Sequence, residues 1–135
     1  MQVMTATKTI LVIIMGLFSF FGCSTKTEFR EGGIYATRQD DGQYTILKVL
    51  KIDEHCVHVR MYSNVYKEIP KQVDESTLYM AGMERKPNEV LGMGHAPISK
   101  ESFSTWGSVF VQQSIVAQSE LEGYNMWLEA SGSCF

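Results

Sequence analysis

The chain has few cysteines, no cluster of basic residues and no long membrane-spanning run, and each of these absences narrows what it can be. Lys and Arg never gather into a patch, and a net charge of −3 with a pI near 5.6 gives no long-range attraction for phosphate backbones. Nucleic acid is therefore not an expected partner. No apolar stretch reaches the roughly 20 residues that a spanning helix needs. Gly-x-Ser-x-Gly is missing, as are any Cys-x-x-Cys pair and a P-loop lysine with its hydroxyl, so nothing spells out a nucleophile, a structural zinc site or a nucleotide cradle. Internal repeats and low-complexity segments are absent too. What remains, 135 residues of which 44% are hydrophobic and 20% charged, has the composition of one compact domain.

The amino terminus is the most informative segment. Met1 to Thr9 carry one basic side chain, Lys8, and no acid, and Ile10 to Phe21 form an apolar run too short to span a bilayer. A basic region followed by a short apolar region is the order of an export signal. At its end stands Ser19-Phe20-Phe21-Gly22-Cys23, which resembles the lipobox of bacterial lipoproteins, with Phe20 where leucine is usual. The resemblance covers the leader alone. It implies that the thiol of Cys23 receives a diacylglyceryl group, that a dedicated peptidase cuts after Gly22, and that the freed amine is acylated. It also implies a lipid-anchored protein in the bacterial cell envelope, with Ser24 rather than aspartate after the cysteine pointing to the outer membrane. Two or three acyl chains, at about 0.8 kcal/mol per buried methylene, make an anchor that does not readily dissociate.

The expected organisation is a signal peptide over residues 1–22, a lipidated connector over 23–31 and a single globular domain over 32–135. Loss of Lys8 with the leader leaves the mature domain more acidic than the whole chain. Ser24 to Arg30 is a polar connector that reaches at most about 25 Å, at about 3.3 Å per residue.

Within the domain, Ile34 to Arg38 and Tyr44 to Ile52 read as strands joined by an Asp40-Asp41-Gly42 turn. Tyr44 to Ile52 has apolar residues at both parities, as a central strand covered on two sides should. Val57 to Tyr62 alternates cleanly, which places Val57, Val59 and Met61 on the core face and His58, Arg60 and Tyr62 on the other. Thr77 to Met83 reads as a fourth strand, Lys86 to Pro97 as a loop, Ser99 to Trp106 as a short helix started by Pro97 and Ser99, and Val109 to Val116 as strand or helix. Ser119 to Glu122 fits a capping box that opens a helix over Glu120 to Ser131, with Gly132 as its stop. The expected fold is α+β: a small, strongly bent antiparallel sheet of the SH3-like or half-barrel kind, followed by two short C-terminal helices.

Few residues stand out for chemistry. His55, Cys56 and His58, with His95 or Cys134, offer nitrogen and sulfur donors, yet their spacing matches no established zinc site, and neither metal nor cofactor is expected. With Cys23 acylated, Cys56 and Cys134 are the two thiols left, and an oxidising compartment leaves a bridge between them and a pair of free thiols both open. Gly92-Met93-Gly94-His95 has the glycines of a phosphate loop without its lysine, and His95 is singled out because a loop histidine is free to act. Trp106, Tyr124 and Trp127 form an aromatic set that reads as core. No catalytic group is assigned. The expected function is protein binding at the envelope, as an immunity-type or exclusion-type lipoprotein, with His58, Arg60, Tyr62 and His95 as the partner-binding set. The alternatives are an assembly accessory of an envelope complex and a small envelope hydrolase using His95 with a nearby acid.

Overall fold

The computed structural model describes residues 28–135; the leader, Cys23 and most of the connector lie outside them. Five strands form one antiparallel sheet: β1 (Gly33–Arg38), β2 (Tyr44–Ile52), β3 (Cys56–Tyr66), β4 (Met93–Ser99) and β5 (Val109–Gln113), in the order β4-β3-β2-β1-β5. Helix α1 (Lys100–Thr105) sits between β4 and β5, and α2 (Glu122–Glu129) follows a 3-10 turn at Gln118–Leu121. The α+β class and the small antiparallel sheet are as expected, except that the first helix precedes the last strand. Register shifts interrupt all of the ladders but β1–β2. Bulges of this kind bend and twist the strands that carry them.

Local sequence explains the tight connections. The β1–β2 turn closes through Gln39 N–H to Gln43 O, and Gly42 takes φ +83°, a backbone angle that costs glycine nothing. Between β2 and β3 the Asp53 carboxylate accepts the backbone N–H groups of His55 (3.0 Å) and Cys56 (2.7 Å), folding the chain back on itself.

The fourth strand is not where periodicity put it. Leu78 to Met83 runs beside β3 without forming a ladder; Ser63 N–H donates to Tyr79 O, and one isolated bridge joins Ala81 to Leu91. Met93–Ser99, expected to be loop, pairs with β3 instead. Gly94 and Pro97 disguise it. Proline is tolerated on an edge strand when its nitrogen faces outward, and the Pro97 carbonyl also faces outward, accepting the N–H of Phe135. Ser99 N–H in turn donates to Phe135 O, so the end of the chain covers that part of the edge.

Both faces of the sheet are packed. On one, Tyr35, Leu47, Val49, Val57, Val59, Ala96 and Ile98 meet Phe103 of α1, with Phe29 and Trp106 at the margin. The Ser99 hydroxyl accepts the N–H of Ser102 to start α1, and Gly107, at φ +62°, lets the chain leave it. On the opposite face Ile34, Ala36, Ile46, Tyr62 and Val73 form a second cluster. Thr45 to Leu50 are consequently buried at every position, the two-sided cover that the unbroken apolar pattern of β2 implied.

Candidate functional site

Strand alternation sends His58, Arg60 and Tyr62 to the face opposite α1, and at His58 that face is roofed by α2 rather than by solvent. His58 is completely buried. Its Nε2 lies 2.7 Å from Asp53 Oδ2 and its Nδ1 lies 2.9 Å from His95 Nε2, giving an unbroken chain Asp53–His58–His95. Tyr124 and Trp127 of α2 pack edge-on against the His58 ring, with centroids at 4.7 and 4.5 Å, and the His95 ring lies nearly parallel to it. Gly123 is what lets α2 come this close, since a methyl at that position would stand 2.5 Å from His95 Cβ.

Proton positions follow from the partners. Burial disfavours the Asp53 carboxylate, but hydrogen bonds from His58, Cys56 and His55 outweigh it and hold the carboxyl below its ordinary range. An ionised carboxylate only accepts, so His58 Nε2 carries the proton. In a neutral chain His58 Nδ1 then accepts from His95 Nε2–H, which leaves the lone pair on His95 Nδ1. Burial, and next the charge of His58, push His95 below the usual histidine value. His95 is therefore a neutral imidazole at pH 7 and a weaker base than a free histidine, with Nδ1 carrying the lone pair in the neutral chain.

Beside this chain lies a second polar cluster. Lys48 Nζ donates to Ile115 O (2.8 Å), lies 3.0 Å from Glu120 Oε2, and is 3.5 Å from Glu75. Arg60 donates through Nε to Gly94 O and reaches within 3.7 Å of Glu120. Burial, reinforced by the Glu120 charge, pushes the Tyr62 hydroxyl up to about 12.

Several expectations change here. His58 and Tyr62 are buried and face no partner, His58 under α2 and Tyr62 against Val73 and Leu78, while Arg60 ties the C-terminal cover down through Glu120, because the face assigned to a partner is occupied by the chain itself. His95 lies on β4, not on a loop, and stays half-buried. His55 points away from His58, exposed at the turn. Trp106 packs with Phe103 on the opposite face from Tyr124 and Trp127, so the three aromatics do not form one set. Gly92 accommodates the backbone of Met80 rather than a phosphate. Asp53, the residue that opens the β2–β3 turn, is the group that organises the site. Its signal was available, since the turn that places a carboxylate on two N–H groups also aims its second oxygen along β3.

Cys56 and Cys134 are joined in a disulfide that ties the tail after α2 to the start of β3. The donor atoms of Asp53, Cys56 and His58 lie within 4.8 Å of one another. A disulfide sulfur is not a thiolate, so the bridged chain lacks the sulfur donor that such a set would need. On the far side, a cavity of about 390 Å³ opens between the β1–β2 hairpin and the end of α1, lined by Arg38, Gln39, Thr45, Met61, Thr105 and Trp106 among others. Among the described residues no helix is long and apolar enough to cross a membrane.

No family model, curated protein or solved structure matches the chain.

Proposed function

We propose that the chain is a membrane-anchored envelope lipoprotein, acylated at Cys23, that acts as a protein-binding module of the immunity or exclusion kind. The observation that carries this reading is the Cys56–Cys134 bridge, whose partners lie 78 positions apart. Structural disulfides persist in oxidising compartments outside the cytoplasm, which is where the leader would deliver the domain. The chain from Cys23 to the first described residue, Glu28, spans at most about 17 Å, so the folded body would sit against the bilayer. With the His58 face covered, the surface best suited to a protein partner is the stretch around Tyr79, Met80, Met83, Leu91 and Met93, all exposed apolar side chains. Methionines adapt their shape to an incoming surface, and exposed apolar groups gathered in one region are a mark of interaction sites.

The test is a tagged full-length chain expressed in a bacterium and labelled with palmitate, followed by crosslinking in intact cells. Cys23→Ser should abolish labelling, and Met80→Asp with Met83→Asp should weaken capture of one specific envelope protein without releasing the anchor. Labelling that survives Cys23→Ser, or an anchored chain that turns over a substrate and captures no protein, would overturn the proposal.

One observation favours a second reading, a small envelope hydrolase. The Asp53–His58–His95 chain leaves an unprotonated nitrogen on the half-buried His95, a lone pair of the kind a general base uses. Hydrolysis of an envelope polymer that vanishes in a folded His95→Ala variant would select this reading over protein capture.

A further inference from the structure

We propose that reduction of the Cys56–Cys134 bridge converts the Asp53–His58 corner into a binding site for zinc, with Cys56, Cys134, His58 and Asp53 as its ligands. Cys56 and His58 are two apart on β3, so both side chains project to the face beneath α2. Asp53 reaches the same spot from the preceding turn, and the donor atoms of these three residues already lie within 4.8 Å of one another. Zinc takes sulfur at about 2.3 Å and nitrogen or oxygen at about 2.0–2.2 Å, which puts tetrahedral ligands roughly 3.3–3.8 Å apart. Small movements suffice, chiefly opening the 2.7 Å contact between His58 and Asp53 to admit the ion. The fourth ligand is supplied by the reduction itself, because Cys134 Sγ starts bonded to Cys56 Sγ.

The tail need not drift away once the bridge is cut. Phe135 pairs through its backbone with Pro97 and Ser99, and the Trp127 indole N–H donates to Ser133 O at 3.0 Å. His95 would become the outer partner. Its Nε2 meets His58 Nδ1 at 2.9 Å, the kind of hydrogen bond that fixes the orientation of a metal-bound imidazole. The redox step balances with a dithiol as reductant: the S–S bond breaks, two thiols form by taking up two electrons and two protons, and the dithiol closes to its own disulfide. Zinc then displaces both thiol protons to solvent. In the bridged form the thiolates do not exist, so the site is gated by the redox state of one bond. This chemistry does not require the lipid anchor.

The experiment uses the full-length chain in detergent, bridged or treated with a phosphine reductant, and titrated with cobalt(II) and then zinc. The reduced chain should take up one cobalt with sulfur-to-metal charge-transfer and tetrahedral d–d bands, zinc should displace it, and the bridged chain should show neither band. Cys134→Ser should lower the charge-transfer intensity, and Asp53→Asn should weaken binding while leaving it intact. His95→Ala should weaken it about 10- to 100-fold, as loss of an outer-shell partner does. Near-ultraviolet circular dichroism of the aromatic cluster monitors the fold. The proposal is overturned if the reduced chain binds no cobalt, binds it with only one sulfur, or loses its aromatic signal on reduction.

Discussion

Lys48 and Arg60 stand directly opposite one another on β2 and β3, two cations on the same covered face, and one carboxylate, that of Glu120, reaches both. Like charges facing each other across a ladder destabilise a sheet, and Lys48 is only 2% exposed, too deep to rely on water. Glu120 comes from the 3-10 turn just ahead of α2 and also accepts the N–H of Ala117. One side chain thus neutralises the sheet and fixes the start of its cover. Glu120→Gln should cost roughly 3 kcal/mol, the scale for removing one member of a buried pair. Adding Lys48→Met should recover part of that loss, since a buried ammonium left to the more distant, half-exposed Glu75 goes with it. Urea melts of both variants decide this, and a single-variant loss under about 1 kcal/mol would show that the cluster is ornamental.

The same face should make stability depend on pH at both ends. The folded-state values of His95 and Asp53 are lowered, so their contributions are present above the unfolded-state values of about 6.5 and 3.9 and are lost as pH falls through the folded ones. Tyr62 is raised to about 12, so its contribution is complete below pH 10 or so and is lost as pH climbs toward 12. Thermal unfolding from neutral to mildly acidic pH should show a drop that His95→Asn reduces, and the alkaline limb should flatten in Tyr62→Phe. An unchanged acid limb in His95→Asn would remove His95 from the network's energetics.

Replacing both Cys56 and Cys134 by alanine should destabilise the oxidised protein by about 4 kcal/mol, the loop-entropy scale for a bridge spanning this much chain. The loss should be concentrated near α2 and the tail, because β2 and β3 keep their packing without it. Hydrogen exchange comparing α2 with β2 measures this directly. Uniform loss of protection across the sheet would mean that the bridge supports the whole fold rather than its cover.

The parts of the fold carried by local pattern were readable in the sequence. Strand β2 was placed at Tyr44–Ile52 from its two-sided apolar run, the Asp-Gly turn before it was visible, and α1 was marked by Ser99. What local pattern hides is pairing at a distance. Strand β4 contains Gly94 and Pro97, and only its position at an edge, with the proline nitrogen facing outward, makes it a strand. The capping role fell to Glu120 reaching back to Ala117, not to Ser119 with Glu122, because a 3-10 turn shifts the start of the helix. The polar face of β3 looked like a surface since alternation says which side a residue takes, not what will cover it. Asp53, His58 and His95 could not be joined from spacing alone, for β4 returns to β3 only after a long excursion.

The two ends of α2 offer a test of sign within one helix. At the start, Gly123 packs on His95, and a methyl there would lie 2.5 Å from His95 Cβ, closer than real side chains come, and a tight 3.1 Å from its ring. Gly123→Ala should therefore destabilise the protein although alanine is the better helix former by about 1 kcal/mol. At the other end the chain closes with Ser131 N–H on Leu128 O and Gly132 N–H on Trp127 O, the paired bonds of a Schellman stop. The left-handed position of that motif is held by Ser131, at φ +50°, while the glycine stands one residue later, packed against the Trp127 indole. A non-glycine residue pays for that angle, so Ser131→Gly should stabilise by roughly 0.5–1 kcal/mol. Urea midpoints measured on the two variants should move in opposite directions. A stabilising Gly123→Ala would mean that α2 does not approach His95 this closely, and the roof over His58 would have to be redrawn.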